Sequence, residues 1–435
     1  MGERAAGAVE NVAGGSQSRE KRRFVKPVNT IYQGDCLFGL REWPDGFVDA
    51  CVTDPPYGIA FMGKKWDHQV PGVDVWSEVL RVLKPGAHLL CACGTRTQHR
   101  MAVNIEDAGF EIRDVICWHY GSGFPKSLDI SKAIDKAAGA EREVIGEKGL
   151  HPSKDWSSDG SKKYRWDKRP FEEANALYAA TTEDAKKWEG WGTALKPATE
   201  FWTLARKRLE GKTVAENIVR YGTGGLNIDG SRIESTEKLG RINNPREERS
   251  VTSFNLSKEK QALAKSDGAG GRFPANLVLD EFMAAEMDRQ TGVLTSGKPA
   301  GQRNAQNKIY GQYGTGMDVT GYGDSGGGSR FFYVAKADGA ERGPGNNHPT
   351  VKPLALMQYL IKLICPLETG RLVVDPFAGS GSTCIAARLL GVDFIGFEWQ
   401  MEYLKIAEER FRRELALFND ARVVYASQSS LNDQS

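Results

Sequence analysis

The chain has 435 residues, 40% of them hydrophobic and 26% charged, which excludes an intrinsically disordered polymer and fits a globular protein of one or two domains. Its net charge of +2 neither demands nor excludes a polyanionic partner, so a nucleic-acid surface would have to come from local clustering. No run reaches the ~18 apolar residues of a membrane span, and residues 1–27 lack the apolar segment of a signal peptide. The expectation is a cytoplasmic protein with a disordered arm over 1–27 and a disordered tail over 421–435.

From 28 to 139 strand-like and helix-like runs alternate: TIYQGD, VDACVTD, VWSEVLRVLKPG, AHLLCACG, MAVNIEDAGF and RDVICWHY. Such alternation predicts a parallel α/β sheet, and Pro85 with Gly86 predicts a stop for the helix WSEVLRVL. Residues 140–190 read as a polar insertion in which Lys162, Lys163, Arg165, Lys168 and Arg169 interleave with Trp156, Tyr164 and Trp166. A sheet segment spans 191–210, its strand running from Glu200 to Arg206; residues 211–346 then turn rich in Gly, Asn and Ser. Over 347–420 the α/β pattern returns with LALMQYLIKLIC, RLVVDPFAGSGS, TCIAARLLG, DFIGFE and MEYLKIAEERFRREL. Neither piece alone has enough strands. Joined, they give about seven and predict one doubly wound sheet written in two pieces around a long insertion.

The seven cysteines, Cys36, Cys51, Cys91, Cys93, Cys117, Cys365 and Cys384, lie mostly inside apolar runs. Scattered and odd in number, they read as reduced core thiols. Without CxxC or HxxxH spacing they give no reason to expect a metal site.

Two loops carry chemistry. In RLVVDPFAGSGST a buried strand runs into Asp375, then Phe377, Gly379, Ser380 and Gly381, and then a helix. Glycines at such a turn let the backbone approach a ligand, and a helix amino terminus favours polar or negative groups. Glu398, 23 residues after Asp375 at the end of DFIGFE, stands where an acid meets ribose hydroxyls of an adenosine-containing cofactor. These residues leave NAD, FAD and S-adenosylmethionine undecided, although GSG in place of GxGxxG argues against a dinucleotide. The other loop follows the strand VDACVT. Asp54 sits at its carboxyl end, Pro55 and Pro56 remove two amide donors, and Tyr57 offers a flat face. A pocket of acceptors suits a substrate that donates, such as an amino group, and a flat aromatic suits a planar base.

DPPY followed far downstream by DPFAGSGST and FIGFE resembles the amino-group DNA methyltransferases, in the order that places the catalytic motif before the cofactor motif. GDCLFGL, HPTVKPLALMQYLI and EYLKIAEERF stand where that family has further motifs, and GFPKSLDISKAID, ALKPATEFWTLARK and GRFPANLVLDE look like its bacteriophage and mobile-element subgroup. The resemblance covers both α/β blocks, about half of the chain. It implies a Rossmann-like methyltransferase fold with permuted motif order and S-adenosyl-L-methionine as cofactor. By the same resemblance Asp54, Pro55, Pro56 and Tyr57 are the catalytic set, accepting from and stacking on a flipped base of double-stranded DNA. Asp35, Cys36, Thr350, Lys352, Asp375, Phe377, Gly379, Ser380, Gly381 and Glu398 are implied as the cofactor set, with Asp35 and Cys36 near adenine and Thr350 and Lys352 near the methionine end.

The loop after Tyr57 could assist: Lys64 and Lys65 by meeting phosphate, Phe61 or Trp66 by covering the base. Residues 211–346 would read the DNA sequence. Within the resemblance DPPY is seen more with adenine N6, with cytosine N4 as the alternative. An RNA or protein methyltransferase, an NAD-dependent oxidoreductase and a non-catalytic DNA-binding module are the competing classes. A homodimer is implied by resemblance only, and a separate cognate restriction endonuclease is left open.

Overall fold

The computed structural model describes residues 27–60, 67–121, 123, 127–149, 175–234, 271–295, 325–336, 351–416, 418 and 420–425. In chain order the first block contains β1 (Thr30–Gln33), α1 (Cys36–Arg41), β2 (Val48–Thr53), α2 (Val73–Val82), β3 (Leu83–Gly94), α3 (Gln98–Asp107) and β4 (Glu111–His119). The middle of the chain supplies α4 (Ile130–Ala137), β5 (Val144–Glu147), β6 (Ala176–Tyr178), α5 (Glu183–Lys187), β7 (Thr199–Arg206), α6 (Val214–Tyr221), β8 (Leu277–Asp280), α7 (Glu281–Thr291), β9 (Leu294–Thr295), β10 (Ser325–Gly326) and β11 (Tyr333–Ala335). The last block is α8 (Leu354–Ile364), β12 (Leu372–Asp375), α9 (Ser382–Leu389), β13 (Asp393–Glu398), α10 (Met401–Glu414) and β14 (Arg422–Val424).

One sheet of ten strands, in the order β11-β8-β4-β7-β3-β2-β12-β13-β1-β14, organises the molecule. Every pairing in it is parallel except those of β7, which runs antiparallel to both β3 and β4. The pleat sorts the core into two layers. Ala50, Val52, Leu90 and Ala92 face α8, α9 and α10, whereas Cys51, Leu89, Cys91 and Cys93 face α1, α2 and α3. Because both faces are covered, the central strands read as continuous apolar runs rather than alternating ones. Helix α2 ends at Val82, ahead of Pro85 and Gly86, as their chemistry predicts.

The two blocks of sequence meet along the β2–β12 seam, which is latched at both ends. At one end the buried Asp49 takes hydrogen bonds from Lys84 Nζ (2.6 Å), Arg371 Nη1 (3.0 Å) and the Leu372 amide (3.0 Å). At the other, Thr53 Oγ1 donates to Asp375 Oδ1 at 2.6 Å.

Ten strands exceed the seven expected from the sequence. β8 and β11 come from the Gly-rich 211–346 stretch and β14 from the stretch expected to be a tail. These strands have only three or four residues each, too few for an alternation signal. Of the 140–190 insertion, the described part forms the antiparallel pair β5–β6 and α5, which packs on α4. Asp135 of α4 holds it there, accepting from Arg142 Nε (2.7 Å), the Thr181 and Thr182 amides (3.0 Å each) and Thr182 Oγ1 (2.7 Å). All seven cysteines are free, and six are buried.

Candidate active site

With one strand reversed, the carboxyl ends of β1, β2, β3, β4, β12 and β13 and the start of β7 share an edge, and a cavity of about 1470 Å³ opens there. That exceeds the roughly 300–1,000 Å³ of a usual small-molecule pocket. It is lined from both halves of the sheet, by Asp54 to Tyr57 on one side and by Asp375 to Ser380 with Glu398 on the other.

The tip of β2 is held by charge. Asp54 Oδ1 accepts from the Tyr57 hydroxyl at 2.8 Å and Oδ2 from Lys352 Nζ at 2.6 Å. The Lys352 side chain is 5% exposed, and its ammonium also lies 3.4 Å from Glu200 Oε2, at the entry to β7. Burial opposes the charge on Lys352, but Asp54 and Glu200 outweigh it and hold its proton affinity above that of a free lysine. Burial, with the charge of Asp54, pushes the Tyr57 hydroxyl well up. The Tyr57 ring is backed by Gly94, where an added Cβ would lie 3.1 Å from a ring carbon. Its carbonyl accepts from Thr97 Oγ1 at 2.6 Å, and the next amide, Gly58, donates to Asp67 Oδ1 at 2.8 Å. The tyrosine is thereby fixed at three points. Pro55 and Pro56 add no amide donors.

The loop after β12 is held mainly by backbone amides and hydroxyls, with one guanidinium beneath it. Asp375 Oδ1 also accepts from the Phe377 amide at 3.0 Å, and burial raises this carboxyl to about 6. Gly379 and Gly381 have φ of 53° and 82°, in the left-handed region that disfavours side chains. That turn aims the Gly379 amide at Glu398 Oε2 (2.9 Å), while the Gln400 amide donates to Oε1 (2.6 Å). Burial pushes Glu398 up to about 7. Beneath the loop, Arg410 of α10 donates through Nη1 to Ser380 O (2.8 Å), Ser380 Oγ (3.0 Å) and Ser382 Oγ (3.0 Å). Asp35 caps α1 through the Leu37 amide (2.7 Å), and burial drives the Cys36 thiol upward.

The structure brings Asp54, Pro55, Pro56, Tyr57, Asp35, Cys36, Lys352, Asp375, Phe377, Gly379, Ser380 and Glu398 around this one cavity. Lys352, expected near the methionine end of a cofactor, lines the cavity with its ammonium on Asp54. Gly381 is not a lining residue: its Cβ position meets Phe411, Ala407 and Ile31, so it shapes the turn from behind. Thr350, Phe61, Lys64, Lys65 and Trp66 lie outside the described residues. Sequence reasoning missed Glu200 and Arg410. Glu200 was visible only as an acid opening an apolar strand in ATEFW, and Arg410 only as one of several arginines in a long helix.

A family model described as DNA methylase, covering adenine-N6 and cytosine-N4 enzymes, matches residues 48–409. The chain belongs to this family. It is a DNA methyltransferase, and its cofactor is S-adenosyl-L-methionine. Its similarity to the type II methyltransferase M.HindIII of Haemophilus influenzae is 21% identity over 427 residues, covering 88% of this chain and 95% of that protein. A short segment is more alike elsewhere: 43% over 67 residues of the Streptococcus pneumoniae type II methyltransferase M2.DpnII, 15% of this chain and 24% of the relative. The DNA adenine methyltransferase YhdJ of Escherichia coli matches at 44% over 64 residues, 15% of this chain and 21% of its own. This methyltransferase also aligns with a Thermus thermophilus DNA modification methylase structure at 16% identity and TM-score 0.39, over 92% of this chain and 99% of that one. Among the described residues no helix is long and apolar enough to cross a membrane.

Proposed function

We propose that this methyltransferase is site-specific and modifies the N6 amino group of an adenine flipped out of duplex DNA. The observation that carries the reading is the acceptor set at the tip of β2, a carboxylate and two donor-free prolines beside a fixed tyrosine, facing the Gly-rich loop across one cavity. An exocyclic amino group inside a duplex cannot reach such a tip, so the base must leave the stack.

The residues fit the cofactor. The backbone amides on Glu398, from Gly379, Gln400 and Trp399, use only part of a carboxylate's roughly four acceptor positions, which leaves room for a ribose hydroxyl. Phe377, Gly379 and Ser380 would line its path, with Asp35 and Cys36 toward the adenine end. When bound, S-adenosyl-L-methionine supplies an electrophilic methyl on sulfur.

The chain's own residues do the rest. An aromatic amino nitrogen is a weak nucleophile because its lone pair is delocalised into the ring. Asp54 and the carbonyls around Pro55 accept both amino hydrogens, which favours a pyramidal nitrogen, and Tyr57 stacks on the base so that its lone pair points across the cavity. The displacement is direct, with no covalent enzyme intermediate.

Support for adenine comes from the DPPY sequence and the adenine-named relative. The test is nucleoside mass spectrometry of DNA incubated with the purified protein and labelled cofactor. N6-methyldeoxyadenosine is expected; N4-methyldeoxycytidine as the sole product would reassign the base, and unlabelled DNA would remove the function.

A further inference from the structure

Asp54 accepts a hydrogen bond at each oxygen before any substrate arrives, from Tyr57 at 2.8 Å and Lys352 at 2.6 Å. A carboxylate engaged by an ammonium at that distance attracts a neutral amino group less strongly, because its charge is already countered. A second carboxylate stands beside it. Glu200 Oε2 is sealed from solvent and lies 3.4 Å from the same ammonium, a longer contact than the 2.6 Å to Asp54. It is a buried acceptor whose contact with that cation can still tighten.

We propose that Glu200 is the alternate seat of the Lys352 ammonium: an incoming amino group displaces Lys352 from Asp54, and Glu200 receives it. The inference rests on the reading of Asp54 as the acceptor of amino hydrogens. The shift is small. Lys352 has only to close its 3.4 Å gap to Glu200 while opening its 2.6 Å contact with Asp54, and a four-carbon stem with rotatable bonds permits this. The count of two carboxylates and one ammonium is the same in either seating: Glu200 gains the ion pair that Asp54 gives up, and Asp54 takes the amino hydrogens in its place. Glu200 itself cannot drift, because β7 is an interior strand that pairs it with Gly94 on one side and Trp118 on the other. Tyr57, Tyr120 and Cys93 also face this carboxylate, and none of them is a cation that could replace Lys352. Glu200 is thus a positioning residue, acting on the amino group only through Lys352 and Asp54.

The test compares the wild type with four variants in one DNA methylation assay, with cofactor binding measured separately. Glu200→Gln keeps shape and removes charge, so kcat should fall about 10-fold or more while the cofactor Kd stays within about two-fold and thermal stability is retained. Glu200→Asp, which keeps the charge, should recover part of that loss. The double variant Glu200→Gln with Lys352→Met should be faster than Glu200→Gln alone, because no ammonium then needs a second seat. A wild-type kcat in Glu200→Gln, a parallel loss of cofactor binding, or a double variant slower than Glu200→Gln would each overturn the proposal. Asp54→Ala in the same assay separates the two levels: if it retains wild-type activity the reading of Asp54 falls too, whereas if it is inactive any failure belongs to Glu200 alone.

Discussion

The two walls of the cavity are built in opposite ways. The tip of β2 is a knot of charge, with Asp54, Lys352 and Glu200 within ion-pair reach. The loop after β12 is a backbone turn held by amides and hydroxyls, with one cation, Arg410, buried behind it. On the proposed function, the difference follows the ligands. A cofactor that sits still needs fixed donors and acceptors, whereas a base that arrives and reacts needs a partner whose own hydrogen bonds can be exchanged. A loss on the β2 side should therefore stop transfer and spare binding; a loss on the β12 side should do the reverse.

Asp54→Ala gives the largest effect in that scheme. Its kcat should drop by about a thousand-fold or more, since both positioning and electrostatic preorganisation go with it, while calorimetry should find cofactor affinity within about three-fold of wild type. Arg410→Met tests the other wall. Removing this guanidinium strips three hydrogen bonds from Ser380 and Ser382, which should cost about 3 kcal/mol of stability, seen as a lower Tm, and weaken cofactor binding about 10-fold. Intact cofactor binding in that variant would break the comparison.

The third effect is a pH dependence. Glu398 has a pKa near 7, raised by burial from an ordinary 4.5. If, as proposed, Glu398 receives a ribose hydroxyl, that hydroxyl donates to its ionised form, so cofactor affinity should rise with pH across about 7 and level off above it. Folding runs the other way, because a carboxyl raised above its unfolded value contributes stability that is present below 4.5 and lost as pH rises through 7. Glu398→Gln should flatten the binding profile; an unchanged slope in that variant would assign it to another group. The smallest effect is expected from Gly94→Ala. Its methyl would sit 3.1 Å from the Tyr57 ring and tilt it, raising KM for DNA a few-fold with cofactor affinity untouched.

Much of this was legible because the decisive residues are contiguous. DPPY and DPFAGSGS each spell a strand end and its loop, and the covered sheet shows as apolar runs, so the two halves could be joined from sequence. What stayed hidden depends on folding partners far apart in the chain. Nothing in HPTVKP says that Lys352 will find Asp54, 298 residues away. Nothing in ATEFW says that Glu200 opens the one reversed strand, so that its first residues rather than its last reach the active edge. Arg410 reads as surface charge on an amphipathic helix until the loop it supports is packed above it. β8, β11 and β14 are too short to leave a pattern, and propensity gives way there to pairing with an existing edge.

The reversed β7 makes strand register a chemical setting. A slip of one residue against β3 and β4 would turn every side chain of β7 to the opposite face, bringing Thr199 or Phe201 to the place of Glu200 and leaving Lys352 with a single carboxylate. The hydrogen-bonded ladder from His88–Arg206 to Gly94–Glu200 therefore works as a ruler, measuring an acid into the pocket from the far side of the sheet. Packing substitutions at Trp202 or Leu204, which do not line the cavity, should in that way change turnover without touching a residue that does.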